Sequence, residues 1–147
     1  MNVVDTYKED FLAYLDAAIT IKEPKNLYEP IHYILQIGGK RLRPILTIMT
    51  CDLFNGNVKN SYDAALAVEV FHNFTLIHDD IMDQAPLRRN QPSIHKKWNS
   101  NIAILSGDLL YAVVNSILSK SSSQSVETNI LFQKTVLQIC ILRQLYS

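Results

Sequence analysis

The sequence predicts an all-α helical bundle. Three observations carry that expectation: glycine and proline are scarce, at four and five residues; apolar side chains recur at helical spacing; and no segment shows a convincing strand-like alternation. The alternative is an α+β domain in which the Ile-rich segment Ile102–Leu105 is a strand. From Val3 to about Thr20, Val4, Phe11, Leu15, Ala18 and Ile19 fall near one helical face, and Pro24 punctuates the segment. Leu27, Ile31, Ile34 and Leu35 repeat at helical spacing up to Gly38-Gly39, which reads as a helix stop. A third helix fits Leu42 to Leu53, with Pro44 tolerable only in its first turn and Asn55-Gly56-Asn57 closing it. The longest helical reading runs from a capping Ser61 to Met82. Asp83 to Ser93, with Pro86, Asn90 and Pro92, reads as a loop. Further helices fit Ile102–Leu118 and Val126–Leu145, joined by a polar linker over Ser119–Ser125. No internal repeat is visible, so residues 1–147 read as a single helical domain.

Composition narrows the function classes. The chain is 48% hydrophobic and 19% charged, suited to a folded core rather than disorder. Fourteen basic residues balance fourteen acidic ones, so net charge draws it neither to nucleic acid nor to an acidic membrane surface. Cys51 and Cys140 form no CxxC pair and read as apolar thiols in a reducing compartment. The first ten residues lack a signal-peptide pattern, and charge interrupts every apolar segment before about 18 residues, so no integral membrane segment is expected. A soluble, cytoplasmic protein follows as the expectation.

Four constellations carry chemistry. His78-Asp79-Asp80-Ile81-Met82-Asp83 ends the longest helix; Asp79 and Asp83, four residues apart, share a face with Cβ atoms about 5–6 Å apart. Like charges so placed repel, and carboxylates at a helix carboxyl end oppose its dipole. Divalent cations would relieve that cost, and hard oxygen donors without cysteine suit Mg2+. A solvated acidic helix end explains the same residues equally well. In Gly38-Gly39-Lys40-Arg41-Leu42-Arg43-Pro44, two glycines and three cations at a helix start can form an anion site, or merely a helix end followed by surface charge; the spacing is not that of a Walker loop. Leu87-Arg88-Arg89-Asn90-Gln91-Pro92 offers adjacent arginines able to grip two oxyanions, or an ordinary soluble loop; RNA binding is disfavoured without interleaved aromatics. His72 lies two turns before Asp79 in the same phase, which directs it to the aspartates' cavity unless it is an ordinary core or surface histidine. No nucleophile with an activating base stands out, Ser106 lacking the elbow pattern. Together these residues describe a Mg2+–diphosphate site.

In that order, Gly-Gly-Lys-Arg-Leu-Arg-Pro, Leu-Ile-His-Asp-Asp-Ile-Met-Asp and Leu-Arg-Arg-Asn-Gln-Pro-Ser resemble the trans-isoprenyl diphosphate (polyprenyl) synthases, and Ile104–Leu110 is similar to the segment that follows in them. The resemblance runs from about Tyr28 to Leu118. It implies a helical bundle of the isoprenoid synthase type around a deep apolar cavity. It further implies Mg2+ on Asp79 and Asp83 with Asp80 alongside, an allylic prenyl diphosphate on the metal and Arg88, and isopentenyl diphosphate on Lys40, Arg41, His72 and Arg89. Pyrophosphate would depart from the allylic substrate, the isopentenyl double bond would attack the resulting carbocation, and proton loss would restore an alkene. Phe74 occupies a position that in the family limits product length, implying a product in the farnesyl to geranylgeranyl range.

Two departures from the family pattern bear on activity. No aspartate follows Asp108, so the family's second aspartate-rich motif is missing; and Ile141-Leu142-Arg143-Gln144 stands where a Gly-Gln pair is expected. These features imply a fragment, a truncated frame or half of a split protein, and leave catalysis by this chain alone in doubt. The alternative reading is a non-catalytic diphosphate-binding or regulatory subunit of a complete synthase. A terpene cyclase relative is disfavoured by the two basic clusters, and a ligand-free structural bundle is the remaining reading. The apolar final helix (Val126, Ile130, Val136, Leu137, Ile139, Leu142, Leu145) predicts exposed apolar surface, and with it a homodimer, aggregation, or association with a complete synthase.

Overall fold

The computed structural model describes residues 2–120 and 125–146. Its helices are α1 (Val3–Ala18), α2 (Lys25–Gln36), α3 (Leu42–Leu53), α4 (Tyr62–Met82), the short α5 (Ile94–Lys97), α6 (Ser100–Lys120) and α7 (Ser125–Tyr146). A 3-10 turn covers Val58–Ser61, and a two-stranded antiparallel hairpin pairs β1 (Leu87–Arg88) with β2 (Gln91–Pro92). The fold is all-α, as the periodicity predicts. Ile102–Leu105 lies inside α6, which overturns the strand alternative. Asn99 starts that helix, its Oδ1 accepting from the Ile102 N–H at 2.8 Å and its carbonyl from the Ala103 N–H at 3.0 Å.

Helix ends follow local chemistry. After α2, Gly38 takes φ 82°, a left-handed conformation that a glycine adopts without penalty. Asn55 does the same after α3 at φ 57°, with the Gly56 N–H bonding the Cys51 carbonyl at 2.8 Å. Pro44 is the third residue of α3 and buried there. Ser61 precedes α4, but its hydroxyl donates to the Val58 carbonyl at 2.7 Å and caps no α4 amide. The serine is thus engaged by the 3-10 turn, a competitor invisible to a search for caps. Residues 121–124 of the expected polar linker lie outside the described residues.

The core sits where α4 and α6 pack along each other, flanked by α1, α2 and α3. Phe11, Leu15, Ile31, Ile34, Ile48, Leu66, Val70, Ile77, Leu110 and Val114 are each no more than 2% exposed. Each such side chain contributes roughly 1.5–3 kcal/mol by leaving water. α6 is, among the described residues, the helix long and apolar enough to cross a membrane by length and composition. Asp108 interrupts it midway, and Ala103, Leu110, Val114 and Leu118 are buried in the bundle. At Gly107 α6 leaves room for α4: an added Cβ would meet the His78 ring, with Nδ1 at 2.9 Å. Along α7, by contrast, Val126, Leu131, Leu137, Ile141 and Leu142 are exposed and Val136 is buried. The exposed apolar face expected of the last helix is present over these residues; the side chain of Leu145 lies outside those described.

Candidate functional site

The acidic end is the last turn of α4. The Asp83 N–H bonds the Asp79 carbonyl at 2.8 Å, so the two residues stand one helical turn apart. The helix closes with the Ala85 N–H on the Asp80 carbonyl at 2.9 Å and the Gln84 N–H on Ile81 at 3.2 Å, Gln84 taking φ 50°. That double bond pattern is a Schellman stop, and it fixes the turn that carries all three aspartates. Asp80 points inward, 2% exposed. Both its oxygens accept from Arg88, Oδ2 from Nε at 2.8 Å and Oδ1 from Nη2 at 2.6 Å. This bidentate bond, reinforced by Asp79 and Asp83, pushes the Arg88 pKa up against the opposing effect of burial. Asp80 is therefore engaged by protein, and no three carboxylate, imidazole or thiol groups converge as a ready-made metal cage among the described residues. Asp79 and Asp83 supply hard oxygen donors one helical turn apart. Two carboxylates with the remaining shell left to water and phosphate are what Mg2+ takes, so the donor set fits that ion.

Arg88 and Arg89 reach the site on the hairpin, where the sequence suggests only a loop. Arg89 and Asn90 form its two-residue turn, both with positive φ, 50° and 64°. A type I′ turn demands such angles, and it is usually marked by Asn-Gly, so the Arg-Asn pair hides it. Three bonds hold the base of the hairpin: Ser93 Oγ to the Ala85 carbonyl at 2.6 Å, the Ser93 N–H to Pro86 at 3.1 Å, and Tyr33 Oη to the Pro92 carbonyl at 2.8 Å. Arg89 then lays its guanidinium against Gly39. A Cβ on Gly39 would sit 2.7 Å from Arg89 Cζ and push the guanidinium aside, and the backbone φ of 148° favours glycine there.

A basic cavity of about 500 Å3 opens beside the middle of α4, lined by Gly39, Lys40, Arg41, Leu42, Arg43, Glu69, His72 and Arg89. Its cations are not equivalent. Arg41 is buried, with its guanidinium on Glu69 and on the Leu35 carbonyl. Arg43 is exposed and donates from Nη1 to His72 Nε2 at 3.2 Å. A guanidinium can only donate, so this contact needs a neutral His72 carrying its proton on Nδ1. The half-buried ring agrees: burial first, then the Arg43 charge, lower the His72 pKa below 6.5. Arg89 is lowered likewise by burial and by Arg41. His72 thus faces the basic cavity, and neither Asp79 nor Asp83 lines that cavity with it. From His72 to Asp79 is about 10 Å along the helix axis.

An apolar groove of about 430 Å3 runs between α4 and α7, below the acidic end. Val68, Phe71, His72 and Thr75 of α4 and Leu131, Phe132 and Val136 of α7 are among its walls. Thr75 lies one turn before Asp79, so the groove lies on the Asp79 face of α4. Phe74 is not in this lining. It packs between helices against Phe71 and Tyr111, each at 5.5 Å between centroids, and against His78 at 4.7 Å. Of the residues singled out in the sequence, the structure brings Asp79, Asp80, Asp83 and Arg88 together, and Lys40, Arg41, His72 and Arg89 together. Glu69 was missed, although an acid inside Ala-Leu-Ala-Val-Glu-Val-Phe signals a buried partner. Arg43, the last cation of the Lys40-Arg41-Leu42-Arg43 cluster, joins Glu69 on the cavity wall.

The polyprenyl synthetase family model matches residues 24–145. A geranylgeranyl diphosphate synthase of Methanosarcina mazei is 41% identical over 147 residues, covering 95% of this chain and 45% of that protein. An Arabidopsis thaliana relative, named heterodimeric geranylgeranyl pyrophosphate synthase large subunit 1, is 38% identical over 86% of this chain and 34% of its own length. Among solved structures, a geranylgeranyl pyrophosphate synthase superposes with TM-score 0.94 at 43% identity, covering 98% of this chain and 44% of the other. The archaeal geranylgeranyl pyrophosphate synthetase of Geoglobus acetivorans gives 0.91 at 32%, over 95% and 46%. The chain spans less than half the length of these relatives. Family model, sequence relatives and structures agree with the ordered motifs: the chain belongs to the polyprenyl synthetase family.

Proposed function

We propose that this chain carries the diphosphate-binding half of a trans-prenyl diphosphate synthase, which joins isopentenyl diphosphate to an allylic prenyl diphosphate. The observation that carries the reading is the arrangement on α4: a carboxylate pair, an apolar groove one turn below it, and a basic cavity alongside. Asp79 and Asp83 would hold Mg2+, which when bound supplies positive charge for a departing pyrophosphate. Arg88 stands beside them, on Asp80, to meet the same developing charge. The basic cavity takes the diphosphate of isopentenyl diphosphate through Lys40, Arg43, His72 and Arg89. In the reaction the allylic C–O bond breaks and its electron pair leaves with pyrophosphate. The isopentenyl double bond then forms the new C–C bond to the allylic cation, and a proton is lost to restore an alkene. The groove receives the apolar chain and keeps water from the cation. Its walls at Phe71, Thr75 and Phe132, together with the names of the relatives, support a product in the farnesyl to geranylgeranyl range.

A second reading is a diphosphate-binding subunit that pairs with a complete synthase. It is favoured by an Arabidopsis relative whose name makes it part of a heterodimer. One assay separates the two. The purified chain is incubated with Mg2+, isopentenyl diphosphate and dimethylallyl, geranyl or farnesyl diphosphate, and products are read by mass spectrometry. An elongated product that disappears in Asp79→Ala supports the synthase. A folded chain that binds isopentenyl diphosphate yet forms no product supports the subunit.

A further inference from the structure

The buried pair of Arg41 and Glu69 is unexplained by anion binding. Glu69 is the carboxylate in the lining of an otherwise cationic cavity, and on charge alone it opposes a diphosphate. It is 4% exposed, and its Oε1 accepts from Arg41 Nη1 and, at 3.3 Å, from Asn73 Nδ2. Asn73, itself 2% exposed, also donates to the Glu69 carbonyl at 2.8 Å. Arg41 Nη2 reaches the Leu35 carbonyl in the last turn of α2. One guanidinium therefore ties the end of α2 to the middle of α4, and does so from the residue that starts α3.

The backbone supports the same reading. Arg41 sits at φ 52°, ψ 34°, a left-handed conformation uncommon for a residue other than glycine, and one held only where its surroundings over-determine it. Here the buried ion pair does so. Lys40 directly precedes the clamped residue and Arg43 follows two later, and with Arg89 of the hairpin they carry the cavity's accessible charge. Arg41's side chain is 3% exposed, and both Nη atoms already have partners. Its Nε is buried with no hydrogen-bond partner. Neither edge of the fork is presented to a bidentate oxyanion.

We propose that Arg41 and Glu69 are positioning residues that set the spacing of Lys40, Arg43 and His72 for a diphosphate, and that Arg41 is not itself a ligand of the anion. The proposal rests on reading the cavity as the isopentenyl diphosphate site. Charge and positioning make opposite predictions for Glu69. Removing a carboxylate from an anion cavity raises affinity if charge decides, and lowers it if the carboxylate holds the loop.

The test titrates isopentenyl diphosphate, and separately inorganic pyrophosphate, into the full chain without divalent metal by calorimetry. Wild type, Glu69→Gln and Glu69→Asp are compared well below their melting temperatures. The expected result is an affinity about tenfold lower in both variants for both ligands, although Glu69→Asp keeps the charge. The His72 imidazole 15N resonances should also move away from the single Nδ1–H tautomer that Arg43 enforces. If Glu69→Gln does not fold, Glu69→Asp decides alone, since it retains the ion while drawing it back by a methylene. Equal or tighter binding in a folded variant overturns the proposal. So does a lower melting temperature with affinity and His72 resonances unchanged, which would make the pair merely structural. Wild type that binds pyrophosphate but not isopentenyl diphosphate refutes the substrate reading, and the pyrophosphate titrations still decide the positioning. Wild type that binds neither overturns both.

Discussion

The acidic end of α4 and the basic cavity beside its middle are each organised around one arginine–carboxylate pair, with the roles reversed. At the acidic end Arg88 is the cation among Asp79, Asp80 and Asp83; in the cavity Glu69 is the carboxylate among Lys40, Arg41, Arg43 and Arg89. Each cluster of like charge thus contains an ion pair whose carboxylate is buried, Asp80 at the acidic end and Glu69 in the cavity. The pairs differ in access. The side chains of Arg41 and Glu69 are 3% and 5% exposed, whereas Arg88 is 25% exposed over an Asp80 at 3%. A fully buried pair returns little net stability, because desolvation offsets the attraction, but breaking one member is costly. Arg41 is accordingly fixed in place. Arg88 is part-exposed beside Asp79 and Asp83, where it can meet a ligand without leaving Asp80.

The sharpest way to break the comparison is at the acidic end. Asp80→Asn leaves Arg88 without its ionic partner and puts an amide in a buried slot shaped for two acceptors. A loss of about 2–3 kcal/mol is expected, a melting temperature lower by roughly 5–10 °C. Isopentenyl diphosphate binding in the basic cavity should be unchanged at temperatures where the variant is folded. A matching loss of affinity would show that the two ends act as one unit, and the contrast drawn above would fail. Differential scanning calorimetry and isothermal titration read the two effects separately.

The next test is at the basic end. Gly39→Ala drives a methyl group into the Arg89 guanidinium and asks an alanine to hold φ 148°. Such strain costs about 1–3 kcal/mol, and part of it will be relieved by displacing Arg89. Isopentenyl diphosphate affinity should fall about tenfold or more, while Mg2+-dependent pyrophosphate binding at Asp79 and Asp83 stays as in wild type. If metal-dependent binding falls equally, the hairpin has moved as a whole and carried Arg88 with it.

Much of this was legible in the sequence, and what was not has identifiable causes. Helix stops at Gly38 and Asn55, and the shared face of Asp79 and Asp83, follow from short-range backbone rules. Which arginine of Lys40-Arg41-Leu42-Arg43 turns inward does not. It depends on Arg41 entering a left-handed conformation and on Glu69, 28 residues away, waiting inside α4. The hairpin was hidden because Arg89-Asn90 lacks the usual turn glycine, and its geometry is secured by Tyr33 and Ser93 from outside the turn. The helical wheel separates Phe74 from the groove face by one position. Residues 68, 72, 75 and 79 share the groove face, while 71, 74 and 78 turn towards α6, and only Phe71 spans both. The exposed apolar residues of α7 were foreseeable from its pattern alone.

The smallest predicted effect concerns His72, which sits where the contrast between the two ends should fade with pH. Its folded pKa lies below the unfolded value of 6.5, because burial and the Arg43 charge disfavour the imidazolium. The unfolded chain therefore binds more protons through that window. The stability that neutral His72 contributes is complete above pH 6.5 and is lost as pH falls through the folded value. A diphosphate in the cavity works in the opposite direction. It supplies negative charge beside the ring, raises the His72 pKa, and so takes up a proton on binding. On lowering the pH from about 8 to 5.5, isopentenyl diphosphate affinity in wild type should gain about two- to fivefold relative to His72→Gln, the scale of a solvent-screened ion pair. The comparison with His72→Gln is essential because the ligand's own phosphate titrates in the same range and cancels between the two proteins. The same variant should flatten the fall in melting temperature below pH 6.5. Parallel affinity curves for the two proteins would mean that His72 stays neutral in the complex and receives a hydrogen bond from Arg43 throughout, leaving the cavity's charge to Lys40, Arg43 and Arg89.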